Sequence, residues 1–402
     1  MRRHTELPQE IRFRGHIAEL DGLRALAVIL VLLVHFGPHA SIGSALWKIE
    51  SIGWIGVDLF FVVSGFLITG ILLDTREEKL YYKTFYLRRA LRIFPLYYVV
   101  IFLGLAIQMA WHLESVIHNL YETSWFVVYL GNIRIAFKNH APPPAFLGPF
   151  WSLQIEEQFY LIFPFLVRKL RQKALFWVLV CVFILSGPLR WSLYLLSPHR
   201  QFLQYTALPC RMDGLALGAL LALRVRMSQW RIRPVTVTLG AVGLLSGLSL
   251  YLSWGGYMWS TPRIRTFGYS IVALAFASVV LWVLRFRGGW QTSWLRIAPL
   301  QYLGKISYGI YLIQALIYEI IRQISIHCGI SFFVEGDWHS TAWTYFGLLT
   351  AIIVLSASLS WYFLERPISR LKDRLSCGYR VARWDKPPSG HELISAISET
   401  AE

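Results

Sequence analysis

One of eleven histidines, with a few acids and arginines set in apolar sequence, is the group best placed to do chemistry here. His35 follows Arg24 by eleven positions in Asp21-Gly22-Leu23-Arg24-Ala25 and onward, a spacing that returns to nearly the same face of a helix at ~100° per residue. Imidazole titrates near neutrality and can take a hydroxyl proton, so His35 is a candidate general base or acyl-relay nucleophile. The plainer alternative is a histidine that bonds a neighbouring helix. Along the axis the two residues stand roughly 16 Å apart, which puts His35 deep in its helix and near the middle of a membrane.

Three acids join it. Asp58 falls early in a second apolar stretch, and Glu156 and Glu157 lie in Trp151-Ser-Leu-Gln-Ile-Glu156-Glu157-Gln-Phe-Tyr160. All three are expected in the outer half of the membrane. A buried carboxylate beside an imidazole would fix its tautomer and balance its charge, so Glu156, helped by Asp58, is the expected partner of His35. Glu156 and Tyr160 share a helix face, and Glu157 points elsewhere. The structural alternative for an acid is an interhelical ion pair, for example with Arg211 of Arg211-Met-Asp213-Gly214. Arg88, Arg89 and Arg92 crowd the start of a helix on the inner side. Such clusters commonly set topology, yet with Arg24 they could also grip a multiply anionic group such as the phosphates of coenzyme A. Tyr160 and Arg211 complete the candidate substrate contacts. Lys305, Tyr308 and Tyr311 read as snorkelling and interfacial anchors. Ser64 in Ser-Gly-Phe lacks a G-x-S-x-G elbow and reads as small-residue packing.

The elements that must hold these residues are membrane helices. Of 402 residues, 55% are hydrophobic and only 15% charged, with 17 Trp, 20 Tyr and 25 Phe; a soluble chain carries nearer a quarter charged. Repeated apolar windows long enough to span a bilayer define an all-α polytopic membrane protein with the lipid bilayer as its surroundings. The net charge of +16 could suggest nucleic acid, but the basic residues sit in short loops between apolar windows, the positive-inside pattern, so no nucleic-acid partner is expected. Cys181, Cys210, Cys328 and Cys377 form no CxxC pair, and neither a disulfide framework nor a metal site is signalled. No cleavable signal peptide is expected, and the first helix is expected to act as an uncleaved anchor.

Residues 1–20 are basic and expected in the cytoplasm. Helices are expected from there to about Pro38, over Ile52 to Leu73, Ile93 to Trp111 and Phe150 to Val167, and near 174–196, 205–223, 235–253, 266–284, 306–327 and 342–364. A weaker window near 122–137 decides the topology. If it does not cross, ten helices remain, both termini are cytoplasmic, and most of the 39 Lys and Arg lie inside. Residues 112–150 are then an external loop holding a re-entrant or interfacial helix. A membrane domain over 17–370 is followed by a flexible cytoplasmic tail over 371–402. No internal repeat of the kind many transporters carry is visible.

Taken together, Asp21-Gly22-Leu23-Arg24 with His35, Gly56-Val57-Asp58-Leu59-Phe60-Phe61-Val62-Val63-Ser64-Gly65-Phe66, Arg88-Arg89-Ala-Leu-Arg92-Ile-Phe-Pro95, the stretch from Trp151 to Tyr160, Arg211-Met-Asp213-Gly214, Ser307-Tyr308-Gly309-Ile310-Tyr311-Leu312 and Glu365-Arg366-Pro367 resemble the integral-membrane acyltransferase-3 family. The likeness runs from about residue 17 to 370. It implies a ten-helix fold, an acyl-CoA donor (usually acetyl-CoA) taken from the cytoplasm, and a functional requirement for Arg24 and His35. Family members O-acylate surface polysaccharides, nodulation factors and macrolides. The expectation is therefore an O-acyltransferase of the bacterial inner membrane acting on a cell-surface glycan or its lipid-linked precursor. A small secondary metabolite as acceptor, or an acyl or lipid transporter, are the alternatives. Some relatives append an extracytoplasmic hydrolase-like domain; this chain ends soon after its last helix, which would leave acyl hand-over outside to a separate periplasmic partner.

Overall fold

The structure, a computed structural model, describes residues 16–38, 44–111, 116–143, 145–227, 234–329 and 340–375. In chain order its helices are α1 Ala18–Phe36, α2 Ala45–Ser51, α3 Ile55–Asp74, α4 Tyr81–Trp111, α5 Val116–Val127, α6 Gly131–Lys138, α7 Trp151–Lys169, α8 Gln172–Leu196, α9 Gln201–Thr206, α10 Leu208–Met227, α11 Pro234–Gly255, α12 Tyr269–Arg285, α13 Ala298–His327, α14 Ser340–Ser360 and α15 Arg366–Leu375. The described residues contain no strand, and the protein is an all-helical, multi-pass membrane protein. Ten long helices fall on the ten expected windows. Among the described residues eight spans are long and apolar enough to cross a membrane on composition alone. The two long helices left out are α1 and α7, whose charges lower their apolarity, and these carry Arg24, His35, Glu156 and Glu157.

Two boundaries differ from expectation for one reason. Helix α4 begins at Tyr81 instead of near Ile93, and α13 at Ala298 instead of near 306. Lys and Arg are good helix formers that a hydropathy window rejects, so the polar first turns were invisible to it. The expected tail from 371 begins as the last residues of α15, and the rest of it, like residues 1–15, lies outside the described residues.

Close backbone contacts fix the directions of the helices. A Cβ on Gly304 of α13 would stand 2.0 Å from the Asp21 carbonyl of α1, and further along the same pair the rings of Phe36 and Tyr318 lie 5.2 Å apart. Helices α1 and α13 therefore run parallel. Gly218 of α10 sits equally close to the Val62 carbonyl of α3, the small-residue contact typical of membrane bundles. By contrast α4 and α7 run antiparallel, since Tyr81 donates to the Pro164 carbonyl and Tyr86 to that of Leu161, while Gln154 donates to Tyr97. The end of α4 and the start of α7 thus face the same way. The chain between them enters and leaves on one side, as the count of basic loops requires.

That connection is re-entrant. Helices α5 and α6 are too short to cross at 1.5 Å per residue, and the turn between them reaches the level of Tyr97, roughly 20 Å below the end of α4. Tyr129 there adopts a left-handed φ of 59° and stacks on Tyr97 with centroids 4.4 Å apart. Open backbone at such depth needs partners within the protein. Side chains of α4 and α7 supply them. Tyr97 donates to the Phe126 carbonyl, Tyr98 to that of Val127 and Gln158 to that of Tyr129, while the Asn132 N–H donates to Gln154 Oε1 at 2.6 Å.

Candidate active site

Helix α1 sets two polar residues at opposite ends of one apolar stripe. Arg24, Val28, Val31 and His35 follow at intervals of four, three and four, and Val28 and Val31 are at zero exposure. His35 stands near the end of its helix and not deep within it. Because α1 starts at Ala18 and breaks at Gly37-Pro38, His35 falls in the last turn, roughly 26 Å from the start. Its Nδ1 lies 2.8 Å from the Val31 carbonyl in the preceding turn, a part-buried contact in a residue that is exposed as a whole. That bond leaves Nε2 as the nitrogen available for proton transfer.

The other end gathers charge. Tyr160 donates to Glu156 Oε2 at 3.2 Å, Ser64 also hydrogen-bonds this carboxylate, and the Arg89 guanidinium lies 4.1 Å above the Tyr160 ring. The charges of both Arg89 and Arg24 act on Glu156, and Arg92 feels Arg24, Arg89, Asp21 and Glu365. Arg24, Arg89, Arg92, Glu156 and Tyr160 are thereby brought into one cluster. Arg88 turns away from it. It faces Glu78 in the α3–α4 loop, where burial raises the carboxyl above its ordinary value against the pull of that arginine. Arg89 Nε is buried with no hydrogen-bond partner among the described residues. A guanidinium stacked on a ring with donors unspent can accept a phosphate edge-on.

Two members of this cluster escaped sequence reasoning. Ser64 carries no catalytic signature in its Ser-Gly-Phe setting, and Glu365 stands in sequence only as part of Glu365-Arg366-Pro367. Glu365 is buried, accepts from Ser360 at 3.2 Å and lies beside Gly309 at the end of a π-helical turn, Trp361–Glu365. A buried acid in a basic helix end is the signal that could have flagged it.

Asp58 does not reach His35 either. It pairs with Arg211 at 3.0 Å, both at zero exposure, the arrangement named as the structural alternative. The Arg211 guanidinium lies 3.9 Å from the Tyr269 ring centroid and within 5.7 Å of those of Phe61, Trp151 and Tyr205. Beside it Asp213 pairs with Arg190 at 2.9 Å and accepts from Ser270 at 2.7 Å. This closed, neutral group of four charges is set roughly 9 Å along α3 from Ser64. Neither Glu156 nor Asp58 is therefore in place to orient His35, and Arg211 is enclosed where the other arginines are open. Chemically, one end of the stripe can hold a polyanion next to a carboxylate, and the other offers a base.

The acyltransferase domain family matches residues 17–365, and the chain belongs to it. It is 29% identical over 378 residues to the peptidoglycan O-acetyltransferase OatA of Listeria monocytogenes, covering 89% of this chain and 56% of that protein. The O-acetyltransferase OatA of Staphylococcus aureus is 28% identical over 373 residues, 88% of this chain and 57% of the relative. A protein of Bacillus subtilis named as a putative peptidoglycan O-acetyltransferase, YrhL, is 28% identical over 399 residues, 92% and 58% respectively. The chain thus spans a little over half the length of these relatives. No solved structure matches it.

Proposed function

We propose that this chain performs the membrane step of glycan O-acetylation. Acetyl-CoA binds from the cytoplasm at Arg24, Arg89 and Arg92, and the acetyl group is delivered at the His35 end to a hydroxyl of a cell-surface glycan or its lipid-linked precursor. In this reading the ten helices lie in a bacterial cytoplasmic membrane, with both termini inside and 112–150 outside. The names of the relatives support the glycan as acceptor.

The observation that carries the reading is the distance along α1. Phosphates held by the arginines leave the thioester to be presented at the end of the pantetheine arm. That arm has the length of four or five peptide units and reaches roughly 15 Å at ~3.5 Å per unit, close to the roughly 16 Å between Arg24 and His35. His35 Nε2 would take the acceptor hydroxyl proton as its oxygen attacks the thioester carbon. The C–S bond breaks and coenzyme A leaves as thiolate. In a relay version His35 itself is acetylated first and passes the group to the acceptor.

The test uses membranes bearing wild type or His35→Ala, incubated with radiolabelled acetyl-CoA and a bacterial glycan extract. Wild type should place alkali-labile label in the glycan, and His35→Ala should lose about 10²–10⁴-fold of that rate. Equal labelling by both would remove His35 from the chemistry, and label left wholly on coenzyme A by wild type would overturn the transferase reading.

A further inference from the structure

A cavity of about 260 Å³ opens between α4, α5 and α13, lined by Gln108, His118, Asn119, Glu319 and Arg322. It is at the same level of the bundle as His35. Phe36 meets Tyr318 of α13, and the next residue, Glu319, meets Gln108 of α4. The cavity therefore lies at the His35 end, on the neighbouring face of α13 and far from the arginine cluster.

Its lining is mixed, with Pro143 and Ala145 beside the polar side chains, and carries no net charge. Arg322 binds Glu319 through two bonds, Nη2 to Oε1 at 2.7 Å and Nε to Oε2 at 3.1 Å, and Gln108 and Gln323 also donate to that carboxylate at 3.4 and 2.8 Å. The ion pair is closed on itself, so the site holds no spare positive charge to draw an anion. What remains is a set of planar amide, carboxylate and guanidinium edges held rigidly by one another, suited to hydroxyl and acetamido groups. The imidazole of His118 is exposed at the rim and hydrogen-bonds no described residue. The cavity, about 260 Å³ and open on one side, has room for one sugar ring whose chain continues outward.

We propose that this cavity is a subsite for one neutral sugar ring of the acceptor glycan, flanking the ring that is acetylated. The inference rests on the glycan reading given above and adds where the acceptor is gripped. His118 caps the ring, and the Glu319–Arg322 pair with Gln108 and Asn119 bonds its substituents.

Purified protein in lipid nanodiscs would be titrated with di-N-acetylchitobiose by calorimetry, comparing wild type, His118→Ala and His118→Trp, with His199→Ala as a control. His118→Ala should weaken binding by about 3–10-fold, the worth of one hydrogen bond, and the bulkier His118→Trp should abolish it. His199→Ala should bind as wild type, and all thermal midpoints should agree. In the transfer assay His118→Ala should raise the acceptor KM by a like factor and leave kcat and the acetyl-CoA KM unchanged. Absent binding by wild type at millimolar sugar, equal affinity in the His118 variants, or displacement of the sugar by inorganic phosphate would each overturn the subsite. Sugar binding that depends on His118 without any acetyl transfer would strike the proposed reaction and leave the subsite standing.

Discussion

Asp58 and Arg211, 3.0 Å apart at zero exposure, balance each other's buried charge. Removing one leaves an uncompensated buried charge and costs about 3–5 kcal/mol, whereas replacing both with neutral groups of similar volume is far cheaper. Asp58→Asn should therefore lower the thermal midpoint of the purified protein sharply, and Asp58→Asn with Arg211→Met should recover most of the loss. A double variant that is stable and still transfers acetyl would assign the pair to structure; a stable but inactive one would return Asp58 to the chemistry. The sequence made the Glu156–Tyr160 contact legible, because residues four apart on a helix must meet. It could not say that Arg89 turns toward α7 and Arg88 toward Glu78, since that choice depends on the rotational phase of α4 and so on tertiary packing. Counting from Arg24 hides how close His35 stands to the end of its helix. Ser64 and Glu365 join the cluster through contacts between distant helices, which no spacing rule reaches.

At the scale of elements, the bundle rests on places where a hydrogen replaces a side chain. A Cβ on Gly304 would fall 2.0 Å from the Asp21 carbonyl, so Gly304→Ala must push α13 off α1 and should cost about 1–3 kcal/mol. Gly247 of α11 has nothing within 4 Å of such a Cβ, and Gly247→Ala should be neutral or stabilise by about 0.4–1 kcal/mol. Thermal unfolding followed by fluorescence in detergent separates the two. Long apolar helices were readable because a bilayer demands about twenty apolar residues. The re-entrant turn was readable only by elimination, from the side on which basic loops must lie. Its depth was not, because the groups that satisfy its backbone, Tyr97, Tyr98, Gln154 and Gln158, come from elsewhere in the chain.

For the whole molecule the proposed orientation can be checked from outside the cell. In a background with all four native cysteines replaced, His140→Cys should react with a membrane-impermeant maleimide on intact cells. Glu77→Cys, whose position is 94% exposed beyond α3, should react only after lysis. The reverse pattern would invert the topology. The stripe of α1 has a consequence at this scale too. Between its charged mouth and its histidine, Val28 and Val31 are packed to zero exposure and belong to the same apolar core as the facing residues of α4, α7 and α13. A thioester arm crossing there would fill the volume those neighbours give up, so no column of water would join the two compartments at any stage. On the proposed reading a two-carbon group would pass between them while the protein still served as electrical insulation, leaving the ion gradient across the membrane undisturbed.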